Sequence, residues 1–250
     1  MPMVEIRVTD DSVDPTGATL IEGMPGVGLV GKIATDHLID EREMQEFASV
    51  RGDGIPPVTV FDGSARSVNS PVRLYIDEEA ELVALRSDVP VHVMDAPLFA
   101  ERLTDWIDEH DVLPIYLGGL AAERDADELP SVEGIGVGDG QAHLADAGVA
   151  PPDDGGMISG PCGALLFEAA DADVEAVGLM VDTNPRFPDP QGSHALIEQG
   201  INPIAGVDAD TERLVDQAEE IMEQRKELAQ KMQQADRHEA SQVSRTGMFQ

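Results

Sequence analysis

Ile21-Glu22-Gly23-Met24-Pro25-Gly26-Val27-Gly28-Leu29-Val30-Gly31-Lys32, continued by Ile33-Ala34-Thr35-Asp36-His37-Leu38-Ile39-Asp40, decides the fold. A short apolar run, Ala18-Thr19-Leu20-Ile21, leads into the glycines, and apolar residues then recur at Leu29, Ile33, Ala34 and Leu38. That spacing of three to four marks the buried face of a helix. The stretch reads as strand, glycine-rich turn, helix. Glycines lack Cβ, so the backbone turns tightly and the helix starts close against the sheet.

Gly26-x-Gly28-x-x-Gly31 has the spacing of a dinucleotide fingerprint, in which a helix N-terminus cradles a pyrophosphate. The surroundings disagree with it. The acidic residue expected about 20 positions on falls near Glu46, inside the next expected strand rather than at its tip. Met24-Pro25 sits in the turn itself, and Lys32 is followed by Ile33 instead of the Ser or Thr of a phosphate loop. Met24, Pro25, Gly26, Gly28 and Gly31 are therefore read as a structural turn, or one used in subunit packing. A nucleotide-binding protein or enzyme that uses the turn at 26–31 is the alternative.

The 250 residues suit one large α/β domain with an appended element, and 42% hydrophobic content is ample for a packed core. The charge is extreme: 49 acidic against 16 basic residues, net −33, with lysine only at 32, 226 and 231. Apolar periodicity throughout argues against disorder. Nothing here would neutralise phosphates, which disfavours nucleic acid. The balance suits an acidic surface in molar salt, where a Debye length of about 3 Å mutes self-repulsion; a salt-loving microbe is the expected source. Apolar runs stay short of the ~18 residues that span a bilayer, and residues 1–10 lack a signal-peptide core, so a cytoplasmic protein without membrane contact is expected. Cys162 stands alone, so neither an intrachain disulfide nor a zinc cage is expected.

Alternation at 4–8 reads as a first strand at an edge. Residues 44–50 read as the second strand of a β-α-β crossover, favouring a parallel arrangement. The short runs 59–61, 66–68, 73–76 and 81–85 suggest hairpins within the same sheet system. An amphipathic helix follows at 97–110, with Pro97 at its start, then a strand at 112–117 ending at Gly118-Gly119-Leu120. Residues 132–137 read as a strand, 140–148 and 160–170 as helices, and 191–199 as a short helix. The apolar run 174–181 reads as a central strand, and the proline-rich 184–190 as a loop at its carboxyl end. Ligands in open α/β sheets sit at such ends, so Gly26, Gly28, Gly118, Gly119 and the 184–190 loop are expected to converge on one crevice. The result is a mixed, largely parallel sheet flanked by helices over 1–206.

From 207 to 240 the pattern changes. Residues 211–240 hold no Gly or Pro, and Leu214, Ala218, Ile221, Arg225, Leu228, Met232 and Ala235 alternate by four and three, a heptad seam. Asp210 is a suitable N-cap. The helix either lies on its own domain or pairs with other subunits through Leu214, Ala218, Ile221, Leu228 and Met232. Residues 241–250 follow as a polar tail ending Met248-Phe249-Gln250.

Catalytic candidates are weak. Ser159 lacks a Gly-x-Ser-x-Gly elbow. The six histidines form no i, i+4 pair, and His37 and His194 read as helix-surface residues. Cys162 reads as a small buried residue; a helix start could also depress its pKa. No catalytic residue, cofactor or metal is assigned.

Four ordered motifs carry a family resemblance: Met24-Pro25-Gly26-Val27-Gly28-Leu29-Val30-Gly31, Leu117-Gly118-Gly119-Leu120, residues 156–166 (GMISGPCGALL) and Phe187-Pro188-Asp189-Pro190. Together they resemble the PAC2 (proteasome assembly chaperone) family over about residues 4–205. The resemblance implies a nucleoside-phosphorylase-like α/β fold, homo-oligomers or paralogue complexes, and a role in proteasome assembly or activation. It supplies no catalytic set. Met248-Phe249-Gln250 is similar to the hydrophobic–tyrosine–any-residue ending that docks between α-subunits of the proteasome core ring. Phe249 departs from it by lacking the hydroxyl, at a cost of about 1 kcal/mol.

Overall fold

The structure, a computed structural model, describes residues 4–61, 67–92, 94–122, 129–186 and 188–216. Ala18-Thr19-Leu20-Ile21 does enter a strand, β2 (Thr19–Gly23), and the glycine turn delivers the chain through a single 3₁₀ turn, Val27–Leu29, into helix α1 (Val30–Glu41). Strand β2 lies inside an eight-stranded sheet. Its companions are β1 (Val4–Val8), β3 (Gln45–Gly52), β6 (Val72–Asp77), β7 (Leu82–Ser87), β8 (Leu113–Ala121), β9 (Val132–Val137) and β10 (Ala176–Thr183), in the order β1-β3-β6-β7-β2-β8-β10-β9. The pairs β7–β2, β2–β8 and β8–β10 are parallel. The flanks add antiparallel pairs, so β3, β7, β2, β8 and β10 share one direction and β1, β6 and β9 oppose it.

Period-two alternation sends Leu20 and Ile21 to opposite faces, and each face has its own core. Helices α2 (Ala96–Glu109) and α4 (Gly160–Asp171) cover the face that holds Leu20, Phe47, Leu74, Phe99, Trp106 and Tyr116. On the other face α1, α3 (Gly140–Ala147) and α5 (Pro190–Leu196) close over Ile21, Leu38, Leu82, Ile115 and Leu179. Pro97 stands in the first turn of α2, as its fixed φ favours.

Three expectations are corrected. Strand β3 runs in the direction of β2, but β7 and β6 lie between them and both of its partners are antiparallel; the later β6–β7 hairpin fills the space a simple crossover would have used. The runs near 60 and 68 stay out of the main sheet and form a separate ribbon, β4 (Val60–Phe61) with β5 (Val68–Asn69). Strand β10 is apolar because α4 and α5 bury both its faces, although it is second from the edge. Beyond α5 the chain widens into a π-helical turn, Ile197–Ile201, before the short α6 (Asn202–Ala205).

The root of the C-terminal helix is clasped to the body. The Asn202 amide exchanges two hydrogen bonds with the backbone of Ala209 (3.2 and 3.4 Å), and the Thr211 hydroxyl donates to Glu198 at 2.6 Å. His37 is a correction: instead of standing on a helix surface it is buried, with Nε2 2.6 Å from the carbonyl of Asp210. Residues 212–216 are helical, and Leu214 packs into the α1-side core of its own chain. Ala218, Ile221, Leu228, Met232 and the tail Met248, Phe249 and Gln250 lie outside the described residues.

Candidate functional site

The parallel strands β2, β8 and β10 end together, and their ends open on a crevice of about 250 Å³. Three of the four sequence motifs line it: Met24, Pro25, Gly26 and Val27; Leu117, Gly118, Gly119 and Leu120; and Met157 through Cys162. The fourth lies behind it, with Phe187 outside the described residues. The Asp189 amide donates to the Gly28 carbonyl at 2.9 Å, and the Thr183 hydroxyl donates to Asp189 Oδ2 at 2.8 Å. Asp189 Oδ1 also caps α5 through the Gly192 amide at 3.0 Å.

Glycine is required where these loops meet. Gly28 holds φ +64°, and a Cβ there would collide with the Thr183 side chain. A Cβ on Gly119 would strike Thr183 and the Val27 carbonyl. One on Gly31 would come within 3.0 Å of Leu117 Cβ, which is how α1 lies against β8. Gly26 has open space and an extended φ of −133°. The inner side of the turn is thus spent on packing, and its Gly28 carbonyl is already bonded.

Glu22 is the residue that sequence reading passed over. Alternation along β2 puts it on the face of Leu20, under α4, and it is 1% exposed. Its carboxyl accepts from the Met24 amide at 2.5 Å and from the Leu117 amide at 3.4 Å, tying the glycine turn to β8. Burial pushes it up to about 7, and the two amides recover only part of that shift. A lone carboxylate ending an apolar strand just before a glycine turn was the available signal. The thiol of Cys162, in the first turn of α4, is pushed well above its ordinary value by burial and then by Glu22. The depressed thiol considered from the sequence is therefore corrected: desolvation outweighs the helix terminus. Ser159 is the N-cap of α4 and makes no side-chain capping bond. Among the described residues no cluster of three His, Cys, Asp or Glu has metal-site geometry, and no helix is long and apolar enough to cross a membrane.

A mixed α/β sheet whose glycine-lined strand ends are braced by a buried carboxylate defines the class. The chain belongs to the PAC2 family, whose profile matches residues 20–229. It is 29% identical over 213 residues to an uncharacterised protein of Methanocaldococcus jannaschii, covering 84% of this chain and 85% of that one. Among solved structures it is similar to Pyrococcus furiosus PbaA, described as an archaeal homologue of proteasome-assembly chaperone. That likeness has a TM-score of 0.80 and 26% identity, covering 99% of this chain and 100% of that one. It also shares the fold of P. furiosus PbaB, described as an archaeal proteasome activator, at a TM-score of 0.78 and 22% identity over 92% of this chain and 100% of that one.

Proposed function

We propose that this protein is a non-enzymatic assembly chaperone or activating adaptor of an archaeal proteasome, working in the cytoplasm of a salt-loving cell. The observation that carries the reading is family membership together with whole-chain similarity to PbaA. Residues 1–206 form the body, 207–240 a helix whose root, with Leu214, is held on that body and whose later seam positions Ala218, Ile221, Leu228 and Met232 join subunits into a homo-oligomer, and 241–250 a tether for the terminal peptide. Met248, Phe249 and Gln250 dock on the α-ring of the core particle: the terminal carboxylate meets a basic partner and the Phe249 ring fills a pocket. Several tethered tails raise the effective concentration of each weak peptide. The clasp at 209–211 supports this reading, because it anchors the start of the C-terminal segment to the body.

Biolayer interferometry against the purified proteasome in about 2 M KCl tests it. The intact oligomer is expected to bind, removal of residues 248–250 to abolish binding without changing oligomeric state, and Phe249→Tyr to preserve or tighten it. Unchanged binding by the truncated protein overturns the tail mechanism. The enzyme alternative, resting on the turn at 26–31, predicts nucleotide-dependent stabilisation in a thermal-shift assay.

A further inference from the structure

The crevice opens sideways into a larger groove of about 850 Å³ between α4, the edge strand β9 and the loop at 152–158. Its walls are apolar: Ile135, Val137, Met157, Leu166, Phe167 and Met180. Phe167 is 70% exposed and Met157 96%, so two large apolar side chains stand in solvent on one depression. Apolar surface gathered in this way marks a partner site more often than a solvated face. Leu120, Met157, Ile158 and Met180 border both cavities, which makes the path from Phe167 to Glu22 continuous.

The charges along that path have one sign. Glu133, Asp153 and Asp154 line the groove and Glu22 lies at the inner end, and no Lys, Arg or His lines either cavity among the described residues. We propose that the groove docks an extended apolar segment of another protein that carries a lysine or arginine, whose cationic side chain passes between the glycine walls toward Glu22. A second copy of this acidic chain would set carboxylates against carboxylates, which disfavours it as the occupant. The segment is held chiefly by side chains, because the outer amide of Gly134 on β9 already donates to Ala150 at 2.8 Å and interrupts the free edge there. Molar salt screens the rim carboxylates, but Glu22 is out of water, so above about pH 7, where it is ionised, it keeps its attraction. The contact is independent of the C-terminal tail, so it survives if tail docking fails.

The test uses the full chain in about 2 M KCl and fluorescence anisotropy with labelled peptide pools. Each pool has six positions drawn from Leu, Ile, Val, Phe and Met around a central Lys, Arg, norleucine or Glu, flanked by Ser-Gly. The Lys and Arg pools are expected to bind at least about tenfold more tightly than the norleucine and Glu pools. Glu22→Gln should erase that preference while leaving apolar binding. Phe167→Ser, a change at a solvent-facing position, should weaken every pool by about tenfold or more with an unchanged circular dichroism spectrum. No binding by any pool, equal binding of the norleucine pool, or indifference to Phe167→Ser overturns the proposal. Two other outcomes do the same by naming another occupant. Dissociation of the oligomer by Phe167→Ser would assign the groove to a second copy. A tenfold gain in peptide affinity on removing residues 248–250 would assign it to the chain's own tail.

Discussion

Two parts of one sheet bury charge in opposite ways. At the ends of β2 and β8, Glu22 is buried near Cys162 and Tyr116 with no countercharge beside it among the described residues, and accepts from two backbone amides. On the opposite face, between α1 and the β6–β7 hairpin, Arg73 and Arg86 lie directly across from each other and are knit to acids from α1, β3 and the bend after β7. Arg73 reaches Asp88 at 2.6 Å and Glu46 at 3.8 Å, while Arg86 reaches Asp36 at 3.2 Å and Asp88 at 3.6 Å. Lys32 bonds Asp36 and Asp88 at 2.9 and 3.2 Å. Burial alone would raise the Asp88 carboxyl, yet Lys32 and Arg86 hold it below its ordinary range. Whether a carboxyl titrates near neutrality thus depends on two things together, how deeply it is buried and whether a countercharge stands beside it. The paired region is built to stay ionised, and the crevice region keeps one group poised between two states.

The largest effect is expected at the crevice end. Gly28→Val must place a branched side chain at φ +64° against Thr183, so folded soluble protein should be lost, or destabilised by more than about 4 kcal/mol. Gly26→Ala, two residues away in open space, should change stability by less than about 0.5 kcal/mol in the same denaturation series. Equal effects at the two glycines would break the packing account of the turn.

In the paired region, Arg73→Met should cost about 1–3 kcal/mol by urea denaturation, because Asp88 loses the shortest of its three cationic contacts while Lys32 and Arg86 remain. A cost below about 1 kcal/mol would reduce the network to a solvated surface feature.

Glu22→Gln should read out in pH dependence. The folded carboxyl titrates at about 7 against an ordinary 4.5, so between these values the native state keeps a proton that the unfolded chain has released. Its contribution to stability is whole below about pH 4.5, is lost as pH rises, and is gone above about 7, a span of a few kcal/mol. Chemical denaturation at several pH values should show this fall in the wild type and a flatter profile in Glu22→Gln. Parallel profiles would mean that Glu22 is not the titrating group.

Salt should separate the two regions least. Raising KCl from about 0.1 M to about 2 M is expected to raise Tm substantially by screening a net charge of −33. The deficit of Arg73→Met relative to wild type should change by less than about 0.5 kcal/mol across that range, since a buried pair is poorly screened. A flat Tm in salt would remove the case for a salt-adapted surface.

Local chemistry carried far in this chain. The alternation at Val4–Val8, the proline at the start of α2 and the glycine turn between β2 and α1 needed no partner to be read, because each depends on neighbours within a few residues. Order along the chain also let Gly26, Gly118 and Gly119 be placed at one crevice, since parallel strands end together, whereas Gly28 and Asp189 of the 184–190 loop, expected with them, bond to each other and do not line it. Tertiary structure alone decided the rest. Which strands flank β3 depends on the later β6–β7 hairpin, and the separate ribbon of β4 and β5 depends on where the main sheet has room. Glu22 and His37 look like surface residues in a chain crowded with polar side chains. One is enclosed when α4 closes over β2, and the other when the segment at 209–211 returns across α1. Periodicity reports which way a side chain points, but burial and a shifted pKa come from what a distant segment lays on top of it.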